Sequence, residues 1–216
     1  MDGEIDHRST RRDFTSGELQ RNQLSDDPFQ QFAAWLASAT EAGNFDPTAM
    51  VLATADASGQ PDARYVLLKH FDARGFCWYT DQRSQKGREL AANPRAALVF
   101  YWPEIDRQVR ISGSVEPLGE EDAEAYFQQR PSRSRYSATA SEQSQPIPNR
   151  AALEERVAAL HRLYPEDNVP RNPAWGGYRL IPDHFEFWQG RRDRLHDRFR
   201  YQRNSEGVWM IERLMP

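Results

Sequence analysis

Cationic, hydroxyl and aromatic side chains spaced along strand-like runs and helix starts are the residues of this sequence best suited to chemistry. In Arg64-Tyr65-Val66-Leu67-Leu68-Lys69, strand alternation sets Arg64, Val66 and Leu68 on one face and Tyr65, Leu67 and Lys69 on the other. A strand with a cation on each face can touch two anions; two solvated charges at strand ends are the plainer alternative. Ser84-Gln85-Lys86-Gly87 begins a helix just after Tyr79-Thr80. Backbone N–H groups at a helix start, a lysine and a hydroxyl together suit a phosphate, although a capped surface helix has the same signature. Tyr126 and Arg130, four apart on a helix, share a face. With Ser134 beyond Pro131 they can hold a phosphate, or form a simple charge cluster at a helix end. In Arg194-Leu195-His196-Asp197-Arg198, an extended backbone points Arg194, His196 and Arg198 the same way. Three such groups repel unless something anionic or electron-rich lies over them, and Trp188 can cover a flat ring. A basic edge strand that discourages aggregation reads the same way.

Composition narrows the field. Of 28 basic residues only two are lysine, Lys69 and Lys86, and both fall in these stretches. Chance and codon bias account for that as readily as a need for a compact charge on a flexible stem. A net charge of -4 argues against a dedicated nucleic-acid binder. There is no Walker A loop, no GxGxxG and no G-x-S-x-G. The five histidines are scattered, so no metal site is expected. The single cysteine, Cys77, sits among Phe76, Trp78 and Tyr79 and reads as a buried structural thiol. No apolar run approaches the roughly 20 residues needed to span a bilayer, and the polar N-terminus has no signal-peptide core. A cytoplasmic protein without membrane association is expected.

The elements that position these residues are mostly strands. Residues 1–26 are polar and read as a flexible arm; 27–216 read as a single domain. Asp27-Pro28 opens a helix along Phe29, Phe32, Ala33, Leu36 and Ala39, stopped near Gly43. Strands are predicted over 49–54, 63–71, 76–80, 96–102 and 108–115, the second and third pairing as a hairpin. Further strands are predicted over 178–181, 185–189, 198–203 and 208–213, and helices over 84–92, 120–129 and 150–163. Residues 132–148, rich in Ser, Arg and Gln, read as a loop lining a site. Short strands joined by turns indicate a mainly β architecture with peripheral helices.

Taken together, the segments TRRDFTSGEL (10–19), RYVLLKHFDARG (64–75), YTDQRSQKGREL (79–90), RQVRISG (107–113), YFQQRPSRS (126–134), SEQSQ (141–145), WGGYRL (175–180), EFWQG (186–190) and RLHDRFRYQR (194–203) resemble the pyridoxamine 5'-phosphate oxidase family. They run in family order from the arm to the terminal RLMP. The resemblance implies an FMN-binding split β-barrel working as a homodimer with FMN in the interface. It implies FMN contacts from Arg64, Tyr65, Val66, Leu67, Lys69, Tyr79, Thr80, Lys86, Gln108, Gln143, Ser144, Trp188 and Arg198, with Gln85 standing where the family usually has arginine. It implies substrate contacts from Lys69, Tyr126, Arg130, Ser134, Arg194 and His196, the last two catalytic, and an arm of Arg11, Arg12 and Phe14 folded over the substrate. The implied reaction oxidises pyridoxamine or pyridoxine 5'-phosphate to pyridoxal 5'-phosphate and reduces oxygen to hydrogen peroxide.

Three further departures from the family pattern stand out. Phe14 replaces the usual arm tyrosine, residues 135–139 replace a Gln-Ile-Gly-Ala-Trp stretch, and the chain ends RLMP rather than RLAP. Two alternatives remain at this level: a related flavin oxidase acting on another small molecule such as a phenazine precursor, and a non-catalytic flavin or pyridoxal phosphate carrier.

Overall fold

The computed structural model describes residues 6–10 and 12–216. Its strands are β1 (Ala49–Ala55), β2 (Pro61–Leu67), β3 (His70–Asp72), β4 (Gly75–Asp81), β5 (Arg95–Trp102), β6 (Arg107–Pro117), β7 (Trp175–Gln189), β8 (Asp197–Arg203) and β9 (Trp209–Leu214). The helices are α1 (Pro28–Glu41), α2 (Gln85–Ala92), α3 (Glu120–Gln129), α4 (Ser132–Ala140) and α5 (Arg150–Leu163). The strands hydrogen-bond in the order β2-β1-β5-β6-β7-β4-β3, with β8 on β7 and β9 on β8. The fold is thus mainly β with a few helices. The chain divides into two compact units, one of Thr48–Val99 and Ile111–Asp183, the other of the chain up to Pro47, Phe100–Arg110 and His184–Pro216.

In the first unit, β1 alternates so that Met50, Leu52 and Thr54 are buried. Its antiparallel partner β2 pairs Met50 with Val66 and Leu52 with Arg64. β4 is buried almost throughout and pairs Tyr79 with Gly177 and Asp81 with Trp175. In the second unit, the Asp27 side chain caps α1 by accepting from Phe29 N at 2.9 Å. α1 packs Phe32 against Phe100 and Trp35 edge-on against Phe187. There β7 pairs with β8, Trp188 opposite Arg198.

Four expectations need correction. The run 63–71 forms the expected hairpin with 76–80 only at its end: His70–Asp72 pairs with β4, whereas Pro61–Leu67 pairs with β1. The run divides at Leu68, whose N–H donates to Thr48 O, and Lys69, whose N–H donates to Cys77 O. Residues 132–140 are helical rather than loop because Tyr136 is fully buried, its ring stacked on His161 of α5 at 3.6 Å; tertiary burial overrides a polar local composition. The strands expected at 178–181 and 185–189 are one, β7; it pairs with β4 up to Leu180 and with β8 from His184, changing partners around Pro182, which has no N–H to give. Arg194-Leu195-His196 is not extended. Asp193 and Arg194 take left-handed φ values of 54° and 60°, so Arg194 leaves the face it was expected to share with His196 and Arg198.

Candidate functional site

In the first unit a cavity of about 460 Å³ gathers much of the expected binding set. Tyr65, Val66 and Leu67 from β2 and Lys69 beyond its end line it, with Tyr79 and Thr80 from β4 and Lys86 from α2. Tyr126 and Arg130 from α3 and its C-cap, Ser134 from α4, Gln143 and Trp175 complete the relevant wall. The rings of Tyr79 and Tyr126 stack at 4.1 Å, and both lie nearly parallel to Trp175. Burial pushes the Tyr79 phenol up to about 12, so it stays a neutral donor.

The cavity is rich in cations short of carboxylates. Lys86 is buried at the start of α2, and among the described residues its Nζ donates only to neutral oxygens: Gln143 Oε1 at 2.6 Å, Thr80 Oγ1 at 3.3 Å and Ser84 Oγ at 3.4 Å. Burial, then the nearby Arg64, pulls its pKa below the ordinary lysine value. Arg130 makes no ion pair among the described residues, and its Nη1 is buried without a hydrogen-bond partner. Burying such charges without anions costs free energy. A helix N-terminus, a buried ammonium and an unpaired guanidinium around one cavity therefore fit a phosphate-bearing ligand.

Arg64 and Gln85 are engaged elsewhere and do not line the cavity. Arg64 Nη2 donates to Asp62 at 2.7 Å and to the buried Glu89 at 3.1 Å. Gln85 Nε2 donates to Glu89 Oε1 at 2.9 Å, while its backbone N–H donates to Ser144 Oγ at 3.2 Å. Ser144 itself has a left-handed φ of 71°.

In the second unit a cavity of about 560 Å³ is lined by Arg12, Phe14, Arg194 and His196, with Asp13, Arg191 and Asp193. Phe14, Trp188 and His196 contact one another, Phe14 edge-on to both at 5.4 Å and Trp188 at 4.7 Å from His196. Gly190 makes room for this cluster, since a Cβ there would lie 2.7 Å from the Phe14 ring. His196 Nδ1 accepts from Arg191 N at 3.0 Å, which leaves the proton of the neutral ring on Nε2. Burial, then Arg194 and Arg198, holds its pKa below the ordinary histidine value. Arg198 is paired with Glu186 at 2.8 Å, and Gln108 is half-buried on β6. Arg11 lies outside the described residues.

Three residues of these surroundings were not found from the sequence. Glu89 orients Arg64 and Gln85, and its spacing of four from Gln85 was the available signal. Trp175 underlies the stacked tyrosines. Asp106, buried with a left-handed φ of 52°, accepts from Arg12 Nη2 at 2.6 Å, Ser16 Oγ at 2.7 Å and Thr15 N at 3.1 Å. Nothing local marks Asp106, because its partners lie about ninety residues away in the arm.

Comparison with known proteins places the chain in a family. The family model described as pyridoxamine 5'-phosphate oxidase matches residues 38–164, and that of the pyridoxine 5'-phosphate oxidase C-terminal dimerisation region matches 175–216. The chain is 52% identical to the pyridoxine/pyridoxamine 5'-phosphate oxidase of Bordetella avium, over 95% of this chain and 97% of the relative. It is 50% identical to that of Microcystis aeruginosa, over 95% and 96%. Among solved structures it resembles PhzG from Burkholderia lata, in complex with tetrahydrophenazine-1-carboxylic acid, at 35% identity and a TM-score of 0.85, covering 90% of this chain and 95% of that one. A pyridoxamine 5'-phosphate oxidase-related, FMN binding protein from Nostoc punctiforme shares the fold at a TM-score of 0.72 and 21% identity, covering 89% and 100%. Matched along most of its length, the chain belongs to the pyridoxamine 5'-phosphate oxidase family of split-barrel oxidoreductases.

Proposed function

We propose that this protein oxidises pyridoxamine 5'-phosphate or pyridoxine 5'-phosphate to pyridoxal 5'-phosphate with FMN as cofactor and oxygen as acceptor, releasing hydrogen peroxide; with the amine substrate, water hydrolyses the resulting imine and ammonia leaves. The observation that carries the reading is the convergence of Lys69, Tyr126, Arg130 and Ser134 on one cavity that also holds Lys86. Such a surplus of cations and hydroxyls suits phosphate groups. The active form is a homodimer in the cytosol, with 27–216 acting as one FMN-binding domain and 1–26 as an arm. Neither nucleic acid nor membrane is a partner. Among the described residues no helix is long and apolar enough to cross a membrane.

When bound, FMN would supply two-electron redox chemistry between the substrate carbon that becomes the aldehyde and oxygen. The chain's own residues bind and orient. Lys86 and Thr80 hold the cofactor phosphate beside the start of α2, with Gln85, Gln143 and Ser144 around them. Tyr65, Val66, Leu67, Lys69, Tyr79, Gln108, Trp188 and Arg198 complete the cofactor contacts, while Arg64, held by Asp62 and Glu89, stands outside the cavity. Lys69, Tyr126, Arg130 and Ser134 grip the substrate phosphate. Arg194 and His196 hold the substrate ring, His196 with its proton on Nε2 facing away from the Arg191 N–H. Arg11, Arg12 and Phe14 fold over the ring.

The likeness to PhzG raises oxidation of a phenazine precursor as the competing reading. A phenazine carboxylate brings one carboxylate to Lys69 and Arg130 where the vitamins bring a phosphate of higher charge with more acceptor oxygens, which favours the vitamin substrate. The test is peroxide release by the FMN-loaded protein with each phosphorylated vitamin and with a dihydrophenazine carboxylate. Turnover of the vitamins that falls in Arg194→Ala and His196→Ala, with FMN retained, supports the reading. Turnover of the phenazine alone, or ligand binding without peroxide, overturns it.

A further inference from the structure

Arg130 is held in an unusual way for a half-buried arginine. It has no ion-pair partner among the described residues, and its Nη1 is buried and unpartnered. Its nearest organised support is an aromatic plate: Arg130 Cζ lies over the Trp175 ring, 4.8 Å from its centroid. A guanidinium at that distance is attracted to the indole face without being neutralised by it. A ligand therefore has no carboxylate to displace from the guanidinium, and the buried Nη1 still lacks an acceptor.

The plate itself is firmly seated. Trp175 is 6% exposed. Its ring lies parallel to those of Tyr79 and Tyr126 within 11° and 8°, and Phe127 meets it edge-on. Its backbone is fixed on both sides, N–H donating to Asn172 O at 2.8 Å and C=O accepting from Arg171 Nη1 at 2.5 Å. Arg171 also bonds Glu120 and Glu124 on α3, the helix that carries Tyr126 and ends at Arg130. The segment bearing the plate is thus tied to the helix bearing the cation. Gly177 completes the seat, because a Cβ there would lie 2.8 Å from the Tyr79 ring.

We propose that Trp175 is a positioning residue for substrate-phosphate recognition: its indole face holds the Arg130 guanidinium in the cavity, charged and unpaired, so that the phosphate meets a preorganised donor. The proposal rests on the function given above. A Trp that only fills the core would support Arg130 no better than any apolar residue of similar size.

The test compares Trp175→Phe with Trp175→Met in the FMN-loaded protein. The two replacements have similar volume and similar core cost, but only phenylalanine keeps a π face. The readouts are the Kd of pyridoxal 5'-phosphate and of inorganic phosphate, the KM and kcat with pyridoxamine 5'-phosphate, and the melting temperature. Trp175→Met is expected to raise Kd and KM about ten-fold with kcat nearly unchanged, and Trp175→Phe to raise them only about two-fold. In an Arg130→Gln background the difference between the two should vanish. If either variant fails to fold, biosynthetic fluorination of the tryptophans, which weakens the π face at almost constant size, replaces it; phosphate binding should then weaken in the Arg130 protein and not in Arg130→Gln. Equal effects of Phe and Met, a difference that persists without Arg130, or indifference to fluorination overturns the proposal. A wild-type protein that binds neither pyridoxal 5'-phosphate nor phosphate overturns instead the function on which it rests.

Discussion

Gln85 donates its side-chain amide to Glu89 Oε1 at 2.9 Å, one helical turn along α2. Read from sequence alone, an arginine at 85 would add a charged bond to the cofactor phosphate. The structure changes that expectation, because an arginine here meets a buried carboxylate at i,i+4 spacing first. Gln85→Arg alone should alter FMN affinity less than about two-fold. Combined with Glu89→Gln it should tighten binding by about 1 kcal/mol, the gap between a charged and a neutral hydrogen bond. Fluorescence titration of FMN on the single and double variants measures both. A full gain from Gln85→Arg alone would mean that Glu89 does not compete.

Lys86 should show opposite effects with and without cofactor. Its pKa is lowered, by burial first, so the folded state binds the lysine proton less readily than the unfolded chain. The resulting penalty is present at neutral pH and fades as pH rises through the lowered value towards the ordinary one. Lys86→Met should therefore raise the melting temperature of the cofactor-free protein at pH 7. The same change should weaken FMN binding by about 2 kcal/mol, the cost of one charge-assisted hydrogen bond. A lower melting temperature together with an undiminished FMN-induced shift would contradict both halves.

His196 should titrate below 6.5, since burial and then Arg194 and Arg198 disfavour its charged form. The sign follows from linkage: a base with a depressed folded pKa destabilises the fold below that pKa, and the loss is recovered as pH rises to the unfolded value. Removing one neighbouring cation with Arg194→Gln should move the midpoint upward. NMR titration of His196 resolves the shift, and kcat/KM should fall on the acid side with the same midpoint. An unchanged midpoint in Arg194→Gln would show that this arginine does not act on the ring.

Asp106 should anchor the arm. Burial pushes its carboxyl up, but bonds from Ser16 and Thr15 and the Arg12 charge outweigh that and hold it below its ordinary value. Its stabilising effect is therefore complete above the ordinary carboxylate range and is lost as pH falls through the lowered value. Asp106→Ala leaves Arg12, Ser16 and Thr15, all exposed, to water, and should destabilise the fold by about 1 kcal/mol. Denaturant unfolding gives the magnitude, and limited proteolysis should show earlier cleavage within 12–18. Cleavage at the wild-type rate would assign the arm's anchoring to Asp197, which accepts from Leu19 N at 3.0 Å.

Local signals carried much of the architecture. The Asp27 cap, the apolar run at 49–54, the acidic start of 120–129 and the apolar face of 150–163 are each written within a few residues, and the structure has an element at each place. The segments from 64 to 134 that suggested phosphate recognition do meet, because hydroxyls and cations at strand ends and helix starts keep those positions however the strands pair. The tertiary structure alone decided which charges are paired. Lys86 and Arg64 look alike in sequence, yet Lys86 is buried among neutral oxygens and Arg64 is committed to Asp62 and Glu89. It also decided that 132–140 is a helix, through the burial of Tyr136, and that Arg130 rests on Trp175. Periodicity and capping are contests among neighbours along the chain, whereas the partner of a charge depends on which distant segment folds against it, and no local pattern records that choice.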